Sequence, residues 1–180
     1  MIRITSDYLK KSDIALLKRF CNFVLRKMLS PSVIRKASIN IRIIKNKDLN
    51  SDDDVMDLSE YGAWVYYDGV IDNKRRFTVT MNASHLNRNA KKPMSRLKAI
   101  MLDAAHEMVH IKQYMNNELF DYVDGKARFK GEVFRGNIED ENVYFNSPWE
   151  IEAYGRSQGM YIMFHNKYKQ EQKAKKKKMK

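Results

Sequence analysis

The chain has 180 residues, 43% hydrophobic and 31% charged, which suits one globular domain with a real core. No apolar run approaches the ~20 residues needed to cross a bilayer. Cys21 is the sole cysteine, which excludes an internal disulfide and a cysteine-based zinc site. The start of the chain has no apolar signal core, so the expected compartment is a reducing cytoplasm. Net charge is +12, but the stretch from Lys167 to Lys180 holds eight lysines against Glu171 alone. That stretch carries +7 and leaves +5 on the body, so the basic character belongs mostly to the tail.

Residues 7–29 predict an amphipathic helix. Ile14, Leu17, Phe20, Val24 and Met28 recur at helical spacing between basic residues, and Ser30-Pro31 ends it. Ala37 to Ile44 alternates Ile39, Ile41 and Ile43 with polar neighbours and predicts a strand. Residues 50–60 form an acidic loop whose spacing lacks the glycine turn and terminal glutamate of a calcium-binding loop. Gly62 to Tyr67 predicts a second strand, with turn chemistry at Asp68-Gly69 and again at Asp72-Asn73. Arg76 to Asn82 predicts a third, adjacent and antiparallel. Pro93 and Ser95 open a helix that runs to about Asn116 with a broad apolar face, the expected buried spine. A loop with one short strand is expected over 125–134. Pro148 opens a last helix to about Lys169, and residues 171–180 are expected as a disordered lysine-rich tail after a single domain over 1–170.

The chemistry sits in His106-Glu107-Met108-Val109-His110, inside the spine helix. Histidines four residues apart project from one helical face, one turn apart, so both imidazoles can reach one metal ion at ~2.1 Å. Glu107 is offset by one position. It reaches a metal-activated water and can take its proton as that water attacks a carbonyl carbon. With four histidines and nine glutamates, this pattern is expected by chance only about 0.004 times per chain. The competing reading, two solvated histidines on an ordinary helix, fits poorly with the apolar flanks. A catalytic zinc needs a third protein ligand and one open position. Only His85 and His165 remain as histidines. The better candidates lie in Pro148-Trp149-Glu150-Ile151-Glu152-Ala153-Tyr154. Glu150 and Glu152 diverge by ~200° on a helix, so at most one faces the metal. Both also suit a helix N-terminus electrostatically.

This pattern, His-Glu-x-x-His followed on a later helix by Glu-x-x-Ala, resembles the glutamate-zincins, in particular the CAAX-prenyl-protease and ImmA/IrrE-like branches. Across 76–154 the chain also resembles the small SprT-like metallopeptidase proteins of bacteriophages. On that resemblance Glu150 is the third ligand, with Ala153 following, and Glu152 is the alternative. The chain departs from the pattern at Tyr154, where an Asp or Asn is frequent, and has no histidine between His110 and His165.

The resemblance implies an α+β zincin-like domain: an N-terminal helix, a twisted, mostly antiparallel sheet, the motif helix, and a C-terminal helix carrying the third ligand. Arg76 to Asn82 is a candidate for the edge strand beside the cleft, an interior strand being the alternative. It implies a metallopeptidase with one Zn²⁺ per chain held by His106, His110 and Glu150, and Glu107 as general base. Asp103 is a candidate to orient an imidazole. Tyr144, Tyr154 and His165 are candidate oxyanion donors. The expected partner is a peptide or protein substrate, with nonspecific nucleic-acid contact through the tail and no membrane. Two other readings stand beside it: a protease acting on DNA-associated proteins, and a catalytically silent phage structural or assembly protein. A phage-encoded chain would act in the host cytoplasm.

Overall fold

A computed structural model describes residues 1–44, 62–83, 93–122 and 126–178. The acidic segment 50–60 and His85 lie outside them. The fold is α+β, with five helices and two sheets among the described residues. In chain order these are β1 (Ile2–Ser6), α1 (Lys11–Met28), α2 (Pro31–Arg35), β2 (Ala37–Ile44), β3 (Ala63–Ile71), β4 (Lys74–Asn82), α3 (Pro93–Met115), β5 (Leu119–Asp121), β6 (Ala127–Phe129), β7 (Glu132–Phe134), α4 (Glu141–Phe145) and α5 (Pro148–Lys178).

The larger sheet has the order β1-β2-β4-β3. β1 and β2 are parallel, β2 and β4 are parallel, and β3 and β4 form an antiparallel hairpin. The smaller sheet, β5-β6-β7, is an antiparallel meander. Antiparallel pairings therefore predominate three to two over the described strands, while the larger sheet is mixed.

β1 is an element the sequence reading missed. Its apolar alternation is short (Ile2, Ile4), and its pairing lies 37 residues away, Ile2 opposite Ile39. The edge assignment is corrected as well. Arg76 to Asn82 is an interior strand between β2 and β3, and β3 is the edge. Local alternation specifies a strand's inward face, not its place in the sheet. The hairpin turns at Asp72-Asn73, both at positive φ as a two-residue turn of this hand requires. Asp68-Gly69 is instead a bulge, with Gly69 at φ 94° where the register shifts. The one strand expected over 125–134 is a hairpin, reversed at Lys130-Gly131, again at positive φ.

Ile39, Ile41 and Ile43 of β2 and Phe77, Val79 and Met81 of β4 point into the main core. They meet Leu17, Phe20 and Val24 of α1 and Ile100, Ala104 and Met108 of α3. α5 lies along α3, where fully buried Ala104, Ala105 and Ala153 are small enough for close backbone approach. Farther along α5, Phe164 meets the edge of Phe20 with ring centroids 5.1 Å apart. The helix continues through residues expected to be a disordered tail, ending at Lys178. Lysine is a good helix former, cations suit a helix C-terminus, and Glu171 is tied back to Arg19 of α1. No helix among the described residues is long and apolar enough to cross a membrane.

Candidate metal centre

α3 and the first turn of α5 bring His106, His110 and Glu150 together, although Glu150 lies 40 residues beyond His110. The Nε2 atoms of His106 and His110 are 3.0 Å apart. Glu150 spans the pair, with Oε2 3.1 Å from His106 Nε2 and Oε1 3.1 Å from His110 Nε2. An ion ~2.1 Å from each of three tetrahedral ligands separates them by ~3.4 Å. The two nitrogens, and each nitrogen and its nearer carboxylate oxygen, therefore stand close to the spacing a metal requires.

The donor chemistry fits too. Glu150 is 1% exposed, and its Oε1 lies close to His110 without the geometry of a hydrogen bond. A cation between the two imidazoles would satisfy that oxygen. Pro148 fixes the start of α5 and puts Glu150 in the first turn, where the helix dipole favours a carboxylate. Burial raises its pKa, but the two imidazoles, His106 and His110, outweigh that and hold it near 2. For His110, burial opposes protonation, while Glu150 beside it and the charge of Glu107 carry its pKa to about 9. Among the described residues, this His-His-Glu group could hold a metal ion.

Glu107 is 3% exposed. Burial pushes its pKa above the ordinary carboxylate value. It faces the cleft beside both histidines, with β3 on one wall through Ala63, Trp64 and Val65 and the tyrosines Tyr144 and Tyr154 on another.

The other candidate residues are placed as follows. Asp103 lines a recess next to His106 and Glu107, and burial raises its pKa to about 6. It does not orient the imidazole, since His106 Nδ1 has no hydrogen-bond partner among the described residues. Tyr154 takes that part by packing, its ring 4.4 Å from that of His106. The Tyr144 hydroxyl sits against Glu150, and its pKa is driven up by burial and then by that carboxylate. His165 is not at the site. It is 15 residues past Glu150 on the same helix, ~22 Å along the axis, and stacks on Tyr161. Glu152 is not positioned as a ligand. It turns away to Lys112 and Arg156, each 2.9 Å from its Oε1.

Two residues at the site escaped the sequence reading. Gln113 is fully buried, and Lys112 is 8% exposed. Gln113 bonds His110 Nδ1 at 2.9 Å and the Trp149 carbonyl at 3.0 Å. Lys112 bridges Glu118 and Glu152. The only signal was position: Gln113 is one turn past His110, on the ligand face of the helix.

Comparisons with protein-family models, curated proteins and solved structures find no match to this chain.

Proposed function

We propose that the protein is a zinc-dependent metallopeptidase. The observation that carries the reading is the grouping of His106 Nε2 and His110 Nε2, 3.0 Å apart, with a separate Glu150 carboxylate oxygen 3.1 Å from each, and Glu107 buried beside them. Three N/O ligands with a cleft opening on the fourth side suit a catalytic zinc rather than a closed structural one. A zinc ion held there supplies Lewis acidity, acidifying water and polarising a carbonyl oxygen.

The chain's own residues supply the rest. Glu107, its proton affinity raised by burial, takes one proton from the attacking water and passes it to the leaving amine nitrogen. The water oxygen bonds to the carbonyl carbon as the C–N bond breaks, and the products are a carboxylic acid and an amine. Tyr144 and Tyr154 line the cleft and are the candidates to donate toward a developing oxyanion. β3 ends the sheet on the cleft side and has no strand beyond it among the described residues. An extended substrate can therefore add to it as a further strand. Trp64 of this edge lines the cleft, and its indole N–H is buried with no hydrogen-bond partner among the described residues.

A second reading, a protease acting on DNA-associated proteins, is favoured by one observation. Seven lysines between 167 and 178 ride on one helix, and their sole acidic neighbour in that stretch, Glu171, is taken by Arg19.

Elemental analysis of the purified chain beside His106→Ala and Glu150→Gln tests the site. About one zinc per chain, lost in both variants, supports it and leads to hydrolysis assays on unstructured proteins. Absence of bound metal after zinc is supplied refutes it.

A further inference from the structure

We infer that Gln113 is a positioning residue: it fixes the tautomer of His110 and the entry of the Glu150 turn with one side chain, anchored by Glu152. The inference rests on the metal centre proposed above. Gln113 is fully buried, where an amide is costly unless its hydrogen bonds are made. Its NH₂ group faces two acceptors, the Trp149 carbonyl at 3.0 Å and Glu152 Oε2 at 3.3 Å. Turning the amide over would set its oxygen against both. The oxygen therefore faces His110 Nδ1, 2.9 Å away, and accepts a hydrogen bond from its N–H.

The consequence reaches the ligand atom. With Nδ1 committed as a hydrogen-bond donor, Nε2 is the nitrogen left to give its lone pair to a metal lying between His106 and Glu150. The Trp149 carbonyl belongs to the residue preceding Glu150, so the same amide also sets where the third ligand enters. The anchor is stiff, since Glu152 is held by Lys112 and Arg156, and Lys112 in turn by Glu118 at 2.6 Å. His106 has no such device among the described residues, its Nδ1 making no hydrogen bond there. The two histidine ligands are thus unequal, one set by a hydrogen-bond relay and the other by ring packing.

The test measures zinc affinity of the full chain by chelator competition, and the visible spectrum of the cobalt-substituted protein. Gln113→Met keeps the volume and removes the hydrogen bonds. It is expected to bind zinc ~10–100-fold more weakly and to shift the cobalt bands, because His110 can then adopt the other tautomer. Gln113→Glu keeps an acceptor facing His110 but sets its second oxygen against the Trp149 carbonyl and Glu152, so it is expected to bind zinc more weakly as well, which a role in filling space alone would not predict. If Gln113→Met does not fold, Glu152→Gln decides, with about a tenfold loss expected from removing the charge that orients the amide. Wild-type affinity and spectrum in whichever of these variants folds would overturn the inference while leaving the metal centre intact. A wild-type chain that takes up neither zinc nor cobalt would sink the metal reading itself.

Discussion

Glu150→Gln in the metal-free protein isolates the electrostatics of the site from metal binding. The substitution keeps the side-chain volume and removes one charge, at a position 1% exposed and bracketed by two imidazoles at 3.1 Å. Glu150's pKa is depressed from 4.5 to about 2, so its contribution to folding is present above pH 4.5 and lost as pH falls through 2. His110's pKa is raised from 6.5 to about 9, so its contribution is present below pH 6.5 and lost as pH rises through 9. These shifts describe one interaction and are counted once. It is strongest between pH 4.5 and 6.5, where a depression of that size is worth on the order of 3 kcal/mol. For a chain of this length, that lowers the Tm by about 6–12 °C. At pH 10 His110 is neutral and Glu150 has lost that partner's charge, so the difference should shrink or reverse. Thermal unfolding in excess chelator, at pH 6 and pH 10, provides the measurement. An unchanged Tm at pH 6, or an equal loss at both values, would refute the pairing.

Three further outcomes are expected. Glu107→Gln should retain about one zinc per chain by elemental analysis while peptide hydrolysis falls ~10²–10⁴-fold, and full activity would remove Glu107 from the mechanism. Phe164→Ala removes a ring 4% exposed that meets Phe20 at 5.1 Å and Phe23 at 5.5 Å. It should cost ~3–5 kcal/mol in urea unfolding yet leave zinc stoichiometry unchanged, the ring being ~21 Å along α5 from Glu150. A cost below ~1 kcal/mol would mean α5 is not held to α1 there. Deleting residues 173–180 should weaken DNA binding and flatten its salt dependence, whereas an unchanged slope in a binding assay would make the lysines merely solubilising.

The spine helix and its histidine pair were legible because a four-residue spacing is a local property of a helix. Glu150 was legible only through its pattern with Ala153. Spacing left Glu152 open, and what separates the two is that Lys112 and Arg156 claim Glu152, a fact of tertiary contact. Lys112 itself looked like any other of the chain's 34 lysines and arginines. Its burial follows from Glu118 and Glu152 closing over it. The order of the larger sheet was likewise hidden. Both Gly62–Tyr67 and Arg76–Asn82 read as strands, and the one that takes the interior place is the one matched by β2 across eight residues. His165 was misplaced for a simpler reason, since a histidine's identity says nothing of its ~22 Å separation along the helix.

The segment between His110 and Pro148 is more than a connection, because its packing sets the geometry of the site. Trp149, the residue before Glu150, is 4% exposed and buried with Leu119 of β5 and Ala127 of β6. Phe129 and Phe134 close on its ring at 6.2 and 5.0 Å. The small sheet therefore grips Trp149 by its side chain while Gln113 grips it by its carbonyl. Glu118, just before the same sheet, holds Lys112, which holds Glu152. Each contact falls within two residues of Glu150 on α5. A ligand carboxylate on the first turn of a helix would fray if that turn were free. Here an aromatic socket, a buried amide and an ion-pair chain fix it from three sides, and together they set the distance of Glu150 from the two imidazoles.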